Sequence, residues 1–155
     1  MSSRSCTVLA AIFCAAVASI AGAQQSKRGG AEGESGVTLT LRIEGAKSDD
    51  GQFVVLIYNS KKGFPTKAKH ASVKKIVPIK NGKATVPCEN LKPGEYAINV
   101  FHDKDRNGKL KTNLIGMPKE GTGVSNNGKG IPSWKKAKFS VGDEDLEMVI
   151  QLRYL

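Results

Sequence analysis

The sequence predicts an all-β fold: an antiparallel β-sandwich of about seven strands, in one domain spanning residues 37–155. Three observations carry that expectation. Apolar residues recur with period two, turn residues punctuate them at short intervals, and no long amphipathic helix follows the N-terminal segment. Val37, Leu39, Leu41 and Ile43 alternate with Thr38, Thr40, Arg42 and Glu44, which describes a half-buried strand. Gln52 to Asn59, QFVVLIYN, is apolar on both faces and suits a central strand. Residues 60–72 read as a loop with room for one helical turn. VKKIVPIK and KATVPCE flank Asn81-Gly82, a hairpin signal, and Pro78 and Pro87 push the pair to sheet edges. Lys92-Pro93-Gly94-Glu95 fits a type II turn. Tyr96, Ile98 and Val100 then share one face, with Ala97, Asn99 and Phe101 on the other. Ala137 to Val141 leads through the turn GDED into a last strand, with Leu146, Met148, Ile150, Leu152 and Tyr154 in phase.

The N-terminus precedes the fold. Arg4, an apolar run of about 15 residues and the small-residue site Ala21-Gly22-Ala23 make a secretory signal peptide over 1–23, cleaved after Ala23. The run is short of the roughly 20 residues a spanning helix needs, so no transmembrane span is expected in the mature chain. Gln24 to Gly36 is polar and Gly-rich, a flexible leader. The expected location is periplasmic or extracellular. Cys6 and Cys14 leave with the signal, so Cys88 has no intramolecular partner; it falls in phase with Ala84 and Val86, as a core thiol would.

Loss of Arg4 lowers the net charge from +10 to +9. The excess is nearly all scattered lysine, without the arginine forks and aromatic platforms of nucleic-acid sites, so nucleic acid is not an expected partner. A solvated basic surface is the plain expectation. The sharper one is attraction to an anionic surface in the envelope. The chain is expected to be a monomer.

The stretch HDKDRNGKL, His102 to Leu110, begins like a calcium loop. Asp103, Asp105 and Asn107 stand at loop positions one, three and five, Gly108 at the sharp turn, and the Lys109 carbonyl at position seven. The second half of that pattern is missing: Lys111 and Leu114 stand where oxygen donors belong. Glu120, Asn113 or Asn126 would have to complete the shell. The alternative is a turn in which Asp and Asn side chains hydrogen-bond their own backbone. His102, at a strand end, is either a core-edge residue bonding a loop carbonyl or an acid–base group beside Asp103 and Glu120. The glycine-rich loop Gly116 to Ser133 contains GVSNNGKG, which imitates a phosphate loop. Gly130 replaces the hydroxyl residue and no strand–helix frame surrounds it, so that reading is rejected. Trp134 is expected to anchor the loop's return. Ser125, His102 and Asp103 form a triad on paper only, because adjacent strand residues diverge.

Two resemblances add to this. LKPGEYAINV resembles the turn-and-strand of transthyretin-like and collagen-adhesin B-type sandwich modules, a fold-level match within the broader immunoglobulin-like sandwiches. GQFVVLIYNSKKGF, LKPGEYAINVFHDKDRNGKL, GMPKEGTGVSNN and PSWKKAKF, in that order, resemble a family of small secreted bacterial proteins, domain of unknown function family number 2141. The resemblance implies export and a sandwich fold, and it brings no activity with it. In that family Asp commonly stands where this chain has Lys111, and Asn where it has Asp105.

The expected function is therefore a non-catalytic binding or structural module of the cell envelope. Its partner would be an unidentified envelope component, met by end loops 102–110 and 116–130 through His102, Asp103, Asp105, Asn107, Glu120, Ser125 and Asn126. Enzyme activity is not expected, a hydrolase being the remote alternative. No cofactor is expected, the alternative being calcium at Asp103, Asp105, Asn107 and Lys109.

Overall fold

The computed structural model describes residues 36–155; the expected signal peptide and all but the last residue of the expected leader lie outside the described residues. Eight strands follow in order: β1 Val37–Glu44, β2 Gln52–Tyr58, β3 Val73–Val77, β4 Ala84–Leu91, β5 Gly94–Asp103, β6 Thr122–Val124, β7 Phe139–Val141 and β8 Leu146–Gln151. One sheet has the order β4-β1-β8. The other has the order β3-β2-β5-β6, with β7 also on β5. Helical structure among the described residues is limited to α1, Trp134–Ala137, and short 3-10 turns at Ala68–His70 and Ser125–Asn127.

Alternation puts Leu39, Leu41 and Ile43 of β1, Val86 and Cys88 of β4, and Ile150 of β8 into one core with Phe53, Val55 and Ile57 of β2 and Ile98 and Val100 of β5. Removing any of these large side chains is expected to cost about 2–5 kcal/mol, because the packed surroundings relax only partly. Burial also pushes the Cys88 thiol up, away from the reactive thiolate form.

The other face of β2 explains why its sequence is apolar throughout. Val54, Leu56, Tyr58 and Phe101 form a second buried cluster, covered by Phe64, Ala68, Ala71, Leu110 and Trp134. The cover comes from loops rather than from a third layer of regular structure. Trp134 packs edge-on against Phe64, with ring centroids 6.1 Å apart.

Four expectations about the strands are corrected. Eight strands stand among the described residues, against the roughly seven expected, because Thr122-Gly123-Val124 pairs with β5 inside the long glycine-rich loop. A three-residue strand is too short to show a period. Its Gly123 lies where an added Cβ would come within 2.6 Å of the Ile150 side chain. The strands are not all antiparallel, since β1 and β8 pair in parallel, Leu41 opposite Met148; side-chain alternation looks the same in either direction. The Asn81-Gly82 turn forms, with reciprocal Lys80–Lys83 backbone bonds of 2.9 and 3.1 Å, but β3 and β4 enter different sheets, each at an edge. Pro78 ends the pairing of β3, and the Asp49 carboxylate clamps the turn by accepting the Asn81 and Gly82 N–H groups at 2.8 and 2.7 Å. Finally, Gly94 has φ 157°, which is not type II geometry, and it already belongs to β5. Tyr96 holds this corner by donating its hydroxyl to the Lys92 carbonyl at 2.9 Å.

Candidate functional site

β5 delivers His102 and Asp103 to one end of the larger sheet, and the turn after it is built around the Asp103 carboxylate. Asp103 is fully buried. Its Oδ1 accepts the Asn107 N–H at 3.0 Å, and its Oδ2 accepts the Gly108 N–H and the Gln52 side-chain amide, each at 2.8 Å. Gln52 is its cross-strand partner on β2. Glu120 folds back over the same turn, its two oxygens accepting the Lys104 N–H at 3.4 Å and the Lys111 N–H at 3.0 Å. Asn107 accepts the Lys109 N–H at 2.7 Å and donates to Asp105 at 2.8 Å.

Oxygens of Asp103, Asp105 and Glu120 thus lie within 4.8 Å of one another, a spacing that a hard cation could bridge. A cation is already there: Lys111 Nζ sits 2.7 Å from Asp105 Oδ2. The Lys111 ammonium beside Asp105 holds that carboxyl below the usual carboxylate range, and the same contact raises Lys111. Lys111 therefore points its charge at the acidic trio.

His102 and Ser125 take no part in a joint site. His102 Nε2 lies 2.6 Å from the Asp50 carbonyl and Nδ1 lies 2.7 Å from the Tyr154 hydroxyl. A carbonyl only accepts, so Nε2 carries the hydrogen; in the neutral ring Nδ1 then accepts from Tyr154, whose oxygen in turn accepts the Lys47 N–H at 3.0 Å. Ser125 accepts the Ile98 N–H at 2.9 Å and donates to the Ala137 carbonyl at 2.6 Å. The contact a serine triad needs is made by neither side chain. Asn126 donates to the Lys136 and Lys138 carbonyls at 3.2 and 3.0 Å. Its neighbour Asn127 imitates a strand along the edge of β8, donating to the Val149 carbonyl at 2.9 Å and accepting the Gln151 N–H at 2.8 Å. Of the seven residues expected to make a binding face, four (His102, Asp103, Glu120 and Ser125) are buried and bonded inward.

The loops that cover β2 and β5 do leave an opening. A cleft of about 480 Å³ lies between residues 110–118, 127–132 and the strand ends, lined by Leu110, Ile115, Met117, Val124, Ile131 and Pro132 among others. Ile115 and Ile131 are each 83% exposed and Leu114 is fully exposed. This apolar edge is held in place. Asn113 Oδ1 accepts the Ile115 and Met117 N–H groups at 3.1 and 2.9 Å, and the Asn113 N–H donates to the Met117 carbonyl at 2.8 Å. Period-based reading missed these residues because they lie outside any strand. The signal was present in TNLIGMP, an apolar pair at the tip of a turn-forming segment.

A family model described as "Uncharacterized protein conserved in bacteria (DUF2141)" matches residues 41–149. The chain belongs to that family. The match spans the Asp103 turn, the acidic trio, the Asn113 loop and the Ser125–Asn127 clamp. Neither a curated protein nor a solved structure matches the chain. Among the described residues, no helix is long and apolar enough to cross a membrane.

Proposed function

We propose that this member of the family is an exported, non-catalytic β-sandwich binding module of the cell envelope, of the transthyretin-like or immunoglobulin-like kind. Export rests on the sequence of residues 1–23. The working surface is the loop-built cleft rather than the polar turn beside it. The observation that carries this is the apolar cleft itself: its size falls in the usual range for ligand sites, and its edge exposes Ile115, on a backbone pinned by Asn113, and Ile131. The test is titration with the apolar fluorophore N-phenyl-1-naphthylamine. Saturable enhancement is expected, weakened about tenfold or more in Ile115→Asp and Ile131→Asp. No saturable signal from the parent chain would end the proposal.

A calcium-stabilised form of the same module is the second reading. The approach of Glu120 to Asp103 and Asp105 favours it, and Lys111 opposes it. A ligand that binds only the folded state raises the melting temperature. We expect no rise with millimolar calcium; a rise of several degrees that a chelator reverses would assign the trio to calcium instead.

A further inference from the structure

We infer that the loop-covered face docks on an anionic phospholipid bilayer, with the apolar edge of the cleft entering the acyl boundary and the surrounding lysines facing the headgroups. This rests on the cleft being the working surface.

The charge distribution selects the occupant. Residues 51–88 contain no Asp or Glu, and residues 106–142 contain only Glu120, which is buried under the turn. These two segments supply the loops around the cleft. Four of the lining stretches have an exposed lysine beside or within them: Lys67 follows Thr66, Lys109 precedes Leu110, Lys119 follows Pro118, and Lys129 lies between Gly128 and Gly130. None of the four is in an ion pair among the described residues, and Arg153 is the one charged side chain in the wall. The smaller sheet differs. There Arg42 pairs with Glu147 at 3.3 Å, and Lys83 pairs with Glu44 at 3.2 Å. Around the cleft, lysines without an ion pair among the described residues stand beside an exposed apolar edge. Apolar side chains ringed by lysine fit a surface that is greasy within and anionic at its boundary. A neutral apolar ligand would have no use for the lysines, and a soluble polyanion no use for Leu114, Ile115 and Ile131.

The experiment is flotation of the protein processed after Ala23 with vesicles of phosphatidylglycerol mixed with phosphatidylcholine, against vesicles of phosphatidylcholine alone. Binding is expected to the anionic vesicles, to fall steeply with salt, and to be at least about tenfold weaker on neutral ones. Each of Lys67→Gln, Lys119→Gln and Lys129→Gln should weaken it by about fivefold. Ile115→Asp with Ile131→Asp should abolish it, with the melting temperature confirming that the variant is folded. Uptake of N-phenyl-1-naphthylamine without anionic-vesicle binding would overturn this inference and leave the binding module standing. Equal binding to both vesicle types would also overturn it. Failure of both the fluorophore and the vesicles would remove the cleft itself as the working surface.

Discussion

The Asp103 turn and the apolar cleft are neighbours, and they dispose of their side chains in opposite ways. In the turn, the buried polar groups meet partners from the chain itself: Asp103 holds three donors, Glu120 two, and His102 bridges Asp50 and Tyr154. No buried side-chain polar atom among the described residues lacks a hydrogen bond. In the cleft, Ile115 and Ile131 are exposed, and the backbone at Ile115 and Met117 is pinned by Asn113. A concentration of Asp, Asn and His looks functional because those residues do chemistry. Here the buried ones have their hydrogen bonds met within the chain, Asp103 and Glu120 mostly by backbone N–H groups and His102 by a carbonyl and a hydroxyl. Exposed and uncovered aliphatics next to unpaired lysines are where binding capacity is left over.

The largest effect should come from the turn. Asp103→Ala leaves the part-buried Gln52 amide and two N–H groups without their shared acceptor, and urea unfolding should find a loss of about 3 kcal/mol. A variant equally stable yet unable to bind would reverse the roles given to the two regions. His102→Phe, which leaves the Tyr154 hydroxyl and Asp50 carbonyl without their shared partner, should cost about 2 kcal/mol. Asn127→Ala should cost about 1 kcal/mol and speed amide exchange at Gln151, whose N–H it no longer receives. For the cleft the pattern inverts: Ile115→Asp and Ile131→Asp should stay within about 0.5 kcal/mol of the parent while fluorophore uptake falls.

The smallest effect is a pH slope. Asp49 and Asp105 have carboxyls held below their ordinary range, by the N–H groups of Gly82 and Asn81 and by Lys111. A depressed acid contributes stability that is fully present above the ordinary carboxylate pKa and is lost as pH falls through the lower folded value. Asp105→Asn should therefore flatten the acid limb of the melting-temperature profile slightly, and an unchanged limb would mean that the Lys111 contact does not persist in solution.

The fold was legible where information is local. The alternation in β1 and β8, the two apolar faces of β2 and the phase of Cys88 all follow from period-two patterning against a buried core. The short strand β6 was not legible, because three residues carry no period. The separation of β3 from β4 was hidden as well: Asn81-Gly82 specifies its own turn geometry but not which sheet receives the flanking strands. At the site, the turn residues of HDKDRNGKL were visible as a group, and so was the prospect of Glu120 folding back. That Lys111 would face Asp105, and that Ser125, Asn126 and Asn127 would bond strand edges, depended on contacts between residues distant in the chain.

By itself, then, the sequence determined the strand pattern, the basic balance and the acid-free stretches, because each is a property of neighbours along the chain or of plain composition. Only the tertiary structure decided which strands pair, that β8 runs parallel to β1, and that loops rather than a third layer cover β2. That last choice leaves the cleft open. Loop packing is set by long-range fit between surfaces, and no periodicity within a loop encodes it.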